Sequence, residues 1–202
     1  MINQPTKYQE RYLAHQERKV KTLEGNLEGK YSSFYKDSFK DIVKYRVSQR
    51  IFNKEEIDKE DLEYIKNVIV NTPSSCNRQP VQIMIVEGQN NKDCLEELLV
   101  GGSKWISKAS VIMLLITDME AYKSPAEIEF MPYLDAGFIG MSAYYASEAV
   151  GIGCCFVNPH VRESDKETFK IKFTPNKLLG AIALGNYDKK GYSAKKSNDI
   201  FI

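Results

Sequence analysis

Apolar residues along the first 44 positions are sparse, at Tyr8, Tyr12, Leu13, Val20, Leu23 and Leu27, set among many Glu, Lys and Gln. That spacing predicts one or two amphipathic helices with a thin apolar stripe, broken near Gly29 and Ser32-Ser33. Such a stripe cannot make its own core. Residues 1–44 therefore read as a helical extension that packs on the main body or on a partner subunit, and 45–202 as the main domain.

From Asp58 to Val70, Leu62, Ile65, Val68 and Ile69 trace one helical face, and Asn71-Thr72-Pro73-Ser74-Ser75 stops the helix and opens a loop. Val81 to Val86 is a short β-branched strand, and Asn91 to Val100 a helix ended by Gly101-Gly102. Val111 to Thr117, a continuous apolar run, predicts a central strand covered on both faces. Pro132 to Val150 predicts a long helix with its proline in the first turn. It is apolar almost all round, with Gly137, Gly140, Ala143, Ala146 and Ala149 interspersed, so every face must be buried, and a subunit interface is one place for that. Cys154 to Val157 reads as a strand, Ser164 to Lys172 as a short helix and Leu179 to Leu184 as a further strand. The sum is an α+β fold, a mixed central sheet wrapped by helices.

Charge adds little to that picture. The 202 residues carry 28 basic and 27 acidic side chains, so there is no global pull toward nucleic acid or anionic membrane. The N-terminal segment is polar where a secretory peptide needs an apolar stretch. The run from Phe130 to Gly153 holds Asp135 and Glu148 and falls short of a membrane span. A cytoplasmic protein is the expectation. Cys76, Cys94, Cys154 and Cys155 match no zinc spacing, and no metal is expected. The vicinal Cys154-Cys155 pair reads either as a strained redox disulfide or, more simply, as two small buried residues.

Three segments carry candidate chemistry. In the first, Arg46-Val47-Ser48-Gln49-Arg50-Ile51-Phe52, two guanidinium forks and a hydroxyl suit a phosphate, although arginines near a loop also serve as solvated surface. The second, Thr72 to Pro80, is dense in hydroxyls and amides and fenced by prolines. Its Asn and Gln carry the paired donor and acceptor that a heterocycle's edge requires, while a stiff self-satisfied turn accounts for it equally well. The third runs from Asp135 through Gly151-Ile152-Gly153 to Asn158. It lacks the third glycine and the preceding strand of a dinucleotide fingerprint, so any nicotinamide cofactor would be a transient visitor.

In this order and at these separations the segments resemble the nitroreductase family of flavoproteins. Arg46-x-Ser48-x-Arg50-x-Phe52 resembles its phosphate-binding motif, and Pro73-Ser74-Ser75-Cys76-Asn77-Arg78-Gln79-Pro80 its Pro-Ser-Ser-x-Asn-x-Gln-Pro loop. Asp135 onward is similar to its dimer-forming helix and Gly-x-Gly segment, and Leu184-Gly185-Asn186-Tyr187 to the strand end before its C-terminal basic residues. The resemblance implies a homodimer with two FMN sites at the subunit interface. Arg46 and Ser48 would hold the FMN phosphate from one end, and Lys195 or Lys196 from another. Arg50 would approach the N1/O2 edge of the flavin and stabilise its reduced form. Pro73, Ser74, Ser75, Asn77 and Gln79 would border the flavin from the loop, some of them across the dimer. Phe156 and Val157 would line one ring face, with the Asn158 amide donating to N5. No side chain is required as catalytic acid or base, because the cofactor carries the hydride chemistry.

The implied activity is a ping-pong transfer of hydride from NADH or NADPH to a nitroaromatic, quinone or other conjugated small-molecule acceptor. Reductive dehalogenation, heterocycle oxidation and non-catalytic flavin binding are the alternatives. The departures fall near the substrate space: Val81 stands where many relatives place an aromatic, Asn158-Pro159 where they often show Gly-Gly or Glu-Gly, and Ser103 and Lys104 have no secure alignment.

Overall fold

Residue parity along one strand organises the molecule. The structure, a computed structural model, describes residues 33–117, 119–122 and 125–192. Its elements run α1 (Ser33–Tyr45), α2 (Lys59–Val70), β1 (Val81–Ile85), α3 (Gln89–Leu98), β2 (Val111–Thr117), α4 (Pro125–Ala149), β3 (Gly153–Val157), α5 (Lys166–Lys172) and β4 (Lys177–Gly185), with short 3₁₀ turns between. The strands form one sheet in the order β1-β2-β4-β3, and all three ladders are antiparallel. The parallel component of the expected mixed sheet is a single bridge, Ser48 to Cys154.

Ile112 to Thr117 are all buried, as the apolar run required. Successive side chains point to opposite faces. Met113 and Leu115 join Ile65, Ile69, Ala136 and Ala143 in a core layer under α2 and α4. Ile112, Leu114 and Ile116 join Leu95, Leu98, Ile106 and Phe169 on the side of α3 and α5. Asp58 caps α2 by accepting the Glu60 amide at 2.8 Å. The helix expected to end at the glycine pair stops earlier: α3 closes at Leu98, and Gly101-Gly102 lie in a 3₁₀ turn that follows.

The long helix starts about two turns before its expected place. Pro132 is therefore interior, and Pro125 occupies the first turn instead. An interior proline deprives the carbonyl four residues back of its amide donor. That carbonyl belongs to Ile128, and the Lys177 ammonium reaches it at 3.5 Å while resting over the Tyr133 ring. A side chain from β4 thus compensates for part of what the proline removes.

α4 is not buried on every face within one chain. Phe130, Leu134, Phe138 and Met141 form an exposed apolar stripe. A Cβ added to Gly137, on the same side, would meet nothing. Helix α1 extends the apolar surface with exposed Tyr35, Phe39 and Val43, and Phe39 stacks edge-on against Tyr145 of α4. Of the expected N-terminal extension, only the part from residue 33 lies within the described residues. No helix among these is long and apolar enough to cross a membrane.

Candidate active site

The Arg46 segment is fastened along the outer edge of β3. Beyond the Ser48 bridge, the Gln49 amide donates to the Cys154 carbonyl at 2.9 Å, and the Asn53 amide to the Asn186 carbonyl at 2.9 Å. The Gln49 side chain is buried and is spent on structure. It donates to the carbonyls of Ile51 and Lys189 and accepts the Gly191 amide at 2.9 Å, tying this segment to the chain beyond β4. Gly153 leaves room for it, since a Cβ there would stand 2.8 Å from Gln49 Cγ.

Tyr144 of α4 is the node that joins this segment to β3. Its hydroxyl lies 2.8 Å from Ser48 Oγ and accepts the Phe156 amide at 2.9 Å, while the Arg46 guanidinium sits 4.7 Å above its ring. Burial raises the phenol above its ordinary range, partly offset by the Ser48 hydrogen bond. Lys190 lines the same cleft as Arg46 and pairs with Glu148. Arg46, Lys190 and the Glu148 carboxylate that pairs with it thus share one cleft between α4 and β3, and the Arg46 fork with the Ser48 hydroxyl held on Tyr144 are donors of the kind a phosphate takes.

Phe156 packs its ring between two glycines, Gly140 of α4 and Gly180 of β4, where an added Cβ would come within 2.6 and 2.5 Å of the ring. Val157 faces the opposite core layer, buried against Gly101. The side chain of Val157 is thus committed to the interior, and a wall built here is chiefly backbone with the edge of Phe156. Asn158 follows the end of β3 and accepts the His160 amide at 3.1 Å. Arg50 is exposed, 5.9 Å from the Trp105 ring centre. Its charge draws the Cys155 thiol down, while burial, the larger effect, pushes that thiol up. Cys154 and Cys155 are both buried and not disulfide-bonded, the simpler of the two readings. Lys195 and Lys196 lie outside the described residues.

The Pro73–Pro80 loop is held in an unusual backbone shape. Cys76, Asn77 and Gln79 all have φ near +52°, a left-handed conformation seldom adopted outside glycine and asparagine. Ser74 Oγ accepts the Gln79 amide at 2.8 Å, and the buried Asp135 carboxylate accepts both the Ser75 amide at 2.7 Å and the Tyr122 hydroxyl at 3.0 Å. Burial, with that carboxylate, raises the Tyr122 phenol. Pro73, Ser74, Gln79 and Pro80 border a cavity of about 230 Å³ with Ile69 and Ile139.

One chain does not bring the loop to the Arg46 segment. Asp135 and Tyr144, their respective anchors on α4, are about 13 Å apart along the axis and on opposite faces of the helix. The exposed stripe lies between them. Sequence reasoning quoted Asp135 only as the start of a segment and missed Tyr144 and Lys190. A tyrosine inside an apolar helix was the available signal, because its hydroxyl needs a partner when buried.

A family model described as the nitroreductase family matches residues 43–104. The FMN reductase [NAD(P)H] of Bacillus subtilis (strain 168) is 27% identical over 165 residues, 74% of this chain; the match spans only 65% of that protein's own length. Among solved structures, a protein from Desulfovibrio desulfuricans described as a nitroreductase in complex with FMN superimposes with a TM-score of 0.68 at 20% identity, covering 81% of this chain and 94% of that one. A nitroreductase family protein from Streptococcus pneumoniae TIGR4 gives 0.69 at 19% identity, covering 81% and 98%. At these identities the structural likeness speaks for the fold.

Proposed function

We propose, from the nitroreductase match over residues 43–104 and the likeness of the fold, that the chain is a member of that family and a homodimeric FMN-dependent NAD(P)H oxidoreductase. The observation that carries the reading is the convergence on Tyr144: Ser48 and β3 meet at its hydroxyl and Arg46 lies over its ring, beside a cleft that Lys190 also lines. FMN, when bound, supplies hydride uptake and release, and the protein supplies binding and orientation.

In this reading Arg46 and Ser48 hold the phosphate, with Lys190 or the more distal Lys195 and Lys196 adding charge. Arg50 supplies a fixed cation toward the flavin edge on which reduction builds negative charge, and does so without reorganising. The backbone of Phe156, Val157 and Asn158 forms a wall and offers the Asn158 amide. Pro73, Ser74, Ser75, Asn77 and Gln79 present a preorganised loop edge, its shape already set by Asp135.

Loop and phosphate segment face different sides of the exposed α4 stripe, which supports a site completed by a second copy. An apolar surface of this kind marks an interaction site, and closed two-fold dimers are the commonest solution. NADH or NADPH would deliver hydride and leave, and a quinone, nitroaromatic or other conjugated acceptor would follow in the same space. The B. subtilis relative's name, an FMN reductase using NAD(P)H, supports the donor; the acceptor rests on the family's chemistry. FMN retained through gel filtration in a fraction of dimer mass supports the proposal, and FMN lost from a monomer would refute it.

A further inference from the structure

We propose that Tyr144 is a positioning residue for the cofactor phosphate, holding the Ser48 hydroxyl and the Arg46 guanidinium beside one another. This rests on the FMN reading above. The contacts that meet on the Tyr144 side chain carry it. The Phe156 amide only donates, so the Tyr144 oxygen accepts there, at 2.9 Å. Tyr144 is 8% exposed, and burial keeps its phenol protonated, so it retains one hydrogen to place. Ser48 Oγ lies 2.8 Å from the Tyr144 oxygen, either hydroxyl being able to donate, and the Cys155 thiol stands beside both. The Tyr144 contact fixes where the Ser48 oxygen stands, and Tyr144 itself lines the cleft that Arg46 and Lys190 share.

The Phe156 amide, the Tyr144 hydroxyl and the Ser48 hydroxyl therefore form one linked set anchored on the backbone of β3. Linked bonds of this kind polarise one another. The phenol also lies beneath the Arg46 guanidinium at 4.7 Å, so one side chain supports both phosphate donors. A buried phenylalanine would fill the same volume and keep the ring under Arg46, yet would leave the Phe156 amide and the Ser48 hydroxyl without this partner.

The test separates phosphate from flavin ring. Wild type, Tyr144→Phe, Ser48→Ala and the double variant are titrated with FMN and with riboflavin, which has the same ring system and no phosphate, and each is melted to establish that it folds. Wild type is expected to prefer FMN. Tyr144→Phe should shrink that preference roughly 3–10-fold, leave riboflavin affinity near wild type, and add nothing further in the Ser48→Ala background. Equal weakening of FMN and riboflavin, or an unchanged preference, would overturn the role of Tyr144. Should Tyr144→Phe fail to fold, a Ser48→Ala variant that keeps the full preference for FMN overturns it instead. A wild type without any preference for FMN refutes the phosphate reading itself, and the inference with it.

Discussion

The Ser75 amide donates to the buried Asp135 carboxylate at 2.7 Å, and this bond pins a loop with three left-handed residues to the long helix. Left-handed non-glycine residues each cost on the order of 1–3 kcal/mol and persist only where the surroundings over-determine them. Asp135→Ala removes the acceptor of both the Ser75 amide and the Tyr122 hydroxyl. It should lower unfolding stability by about 1–3 kcal/mol in urea melts and weaken FMN binding as well. A variant as stable as wild type would show that the loop holds its shape unaided.

Arg46→Ala should weaken FMN binding about 10–100-fold, the worth of one charge-assisted contact of roughly 1.5–3 kcal/mol. Riboflavin affinity should change far less. Arg46→Lys, which keeps charge but loses the fork, should fall between. Fluorescence titration reads all three, and an Arg46→Ala variant with wild-type FMN affinity would mean the segment does not meet phosphate.

The α4 stripe predicts a defined assembly. Phe138 is 48% exposed within one chain, so Phe138→Asp on a free surface should cost no more than about 0.5 kcal/mol. At a dimer interface it should instead convert the protein to monomer in sedimentation experiments and release FMN with the loss of the second copy. An unchanged mass in solution would place the subunit contact elsewhere.

Cys154 and Cys155 predict a pH dependence of defined sign. Burial raises both thiols in the folded state. Their contribution to stability is thus complete below the unfolded thiol value of about 8.5 and is lost as pH rises beyond it. Thermal stability should fall between pH 8 and 10, with a shallower slope in Cys154→Ala. In the native protein a thiol reagent should modify exposed Cys76 quickly and reach the two buried cysteines only on unfolding. Rapid native labelling of Cys154 would contradict this burial.

Much of the fold was legible because its signals are local. Val111–Thr117 announces a central strand by continuous apolarity, and Asp58 announces the start of α2 by its capping carboxylate. The start of α4 was not legible. Pro132 looks like a first-turn proline until Lys177, some 45 residues later, is seen to meet the Ile128 carbonyl. The site divides in the same way. Arg46, Ser48 and the Pro73–Pro80 loop stand out by residue type. Tyr144, Asp135 and Lys190 act through partners distant in sequence, and no spacing rule connects position 144 with 48. Val157 shows the converse: strand alternation commits its side chain to the core, so its place beside a ligand is as backbone.

The most direct measurement of the central claim is an anaerobic absorbance titration of the FMN-loaded protein with NADH and NADPH. The expected result is a yellow protein whose visible flavin bands are bleached by one or both donors and return when a quinone or nitroaromatic is added. A protein that stays colourless in excess FMN, or that binds FMN but keeps its oxidised spectrum with both donors, would contradict it.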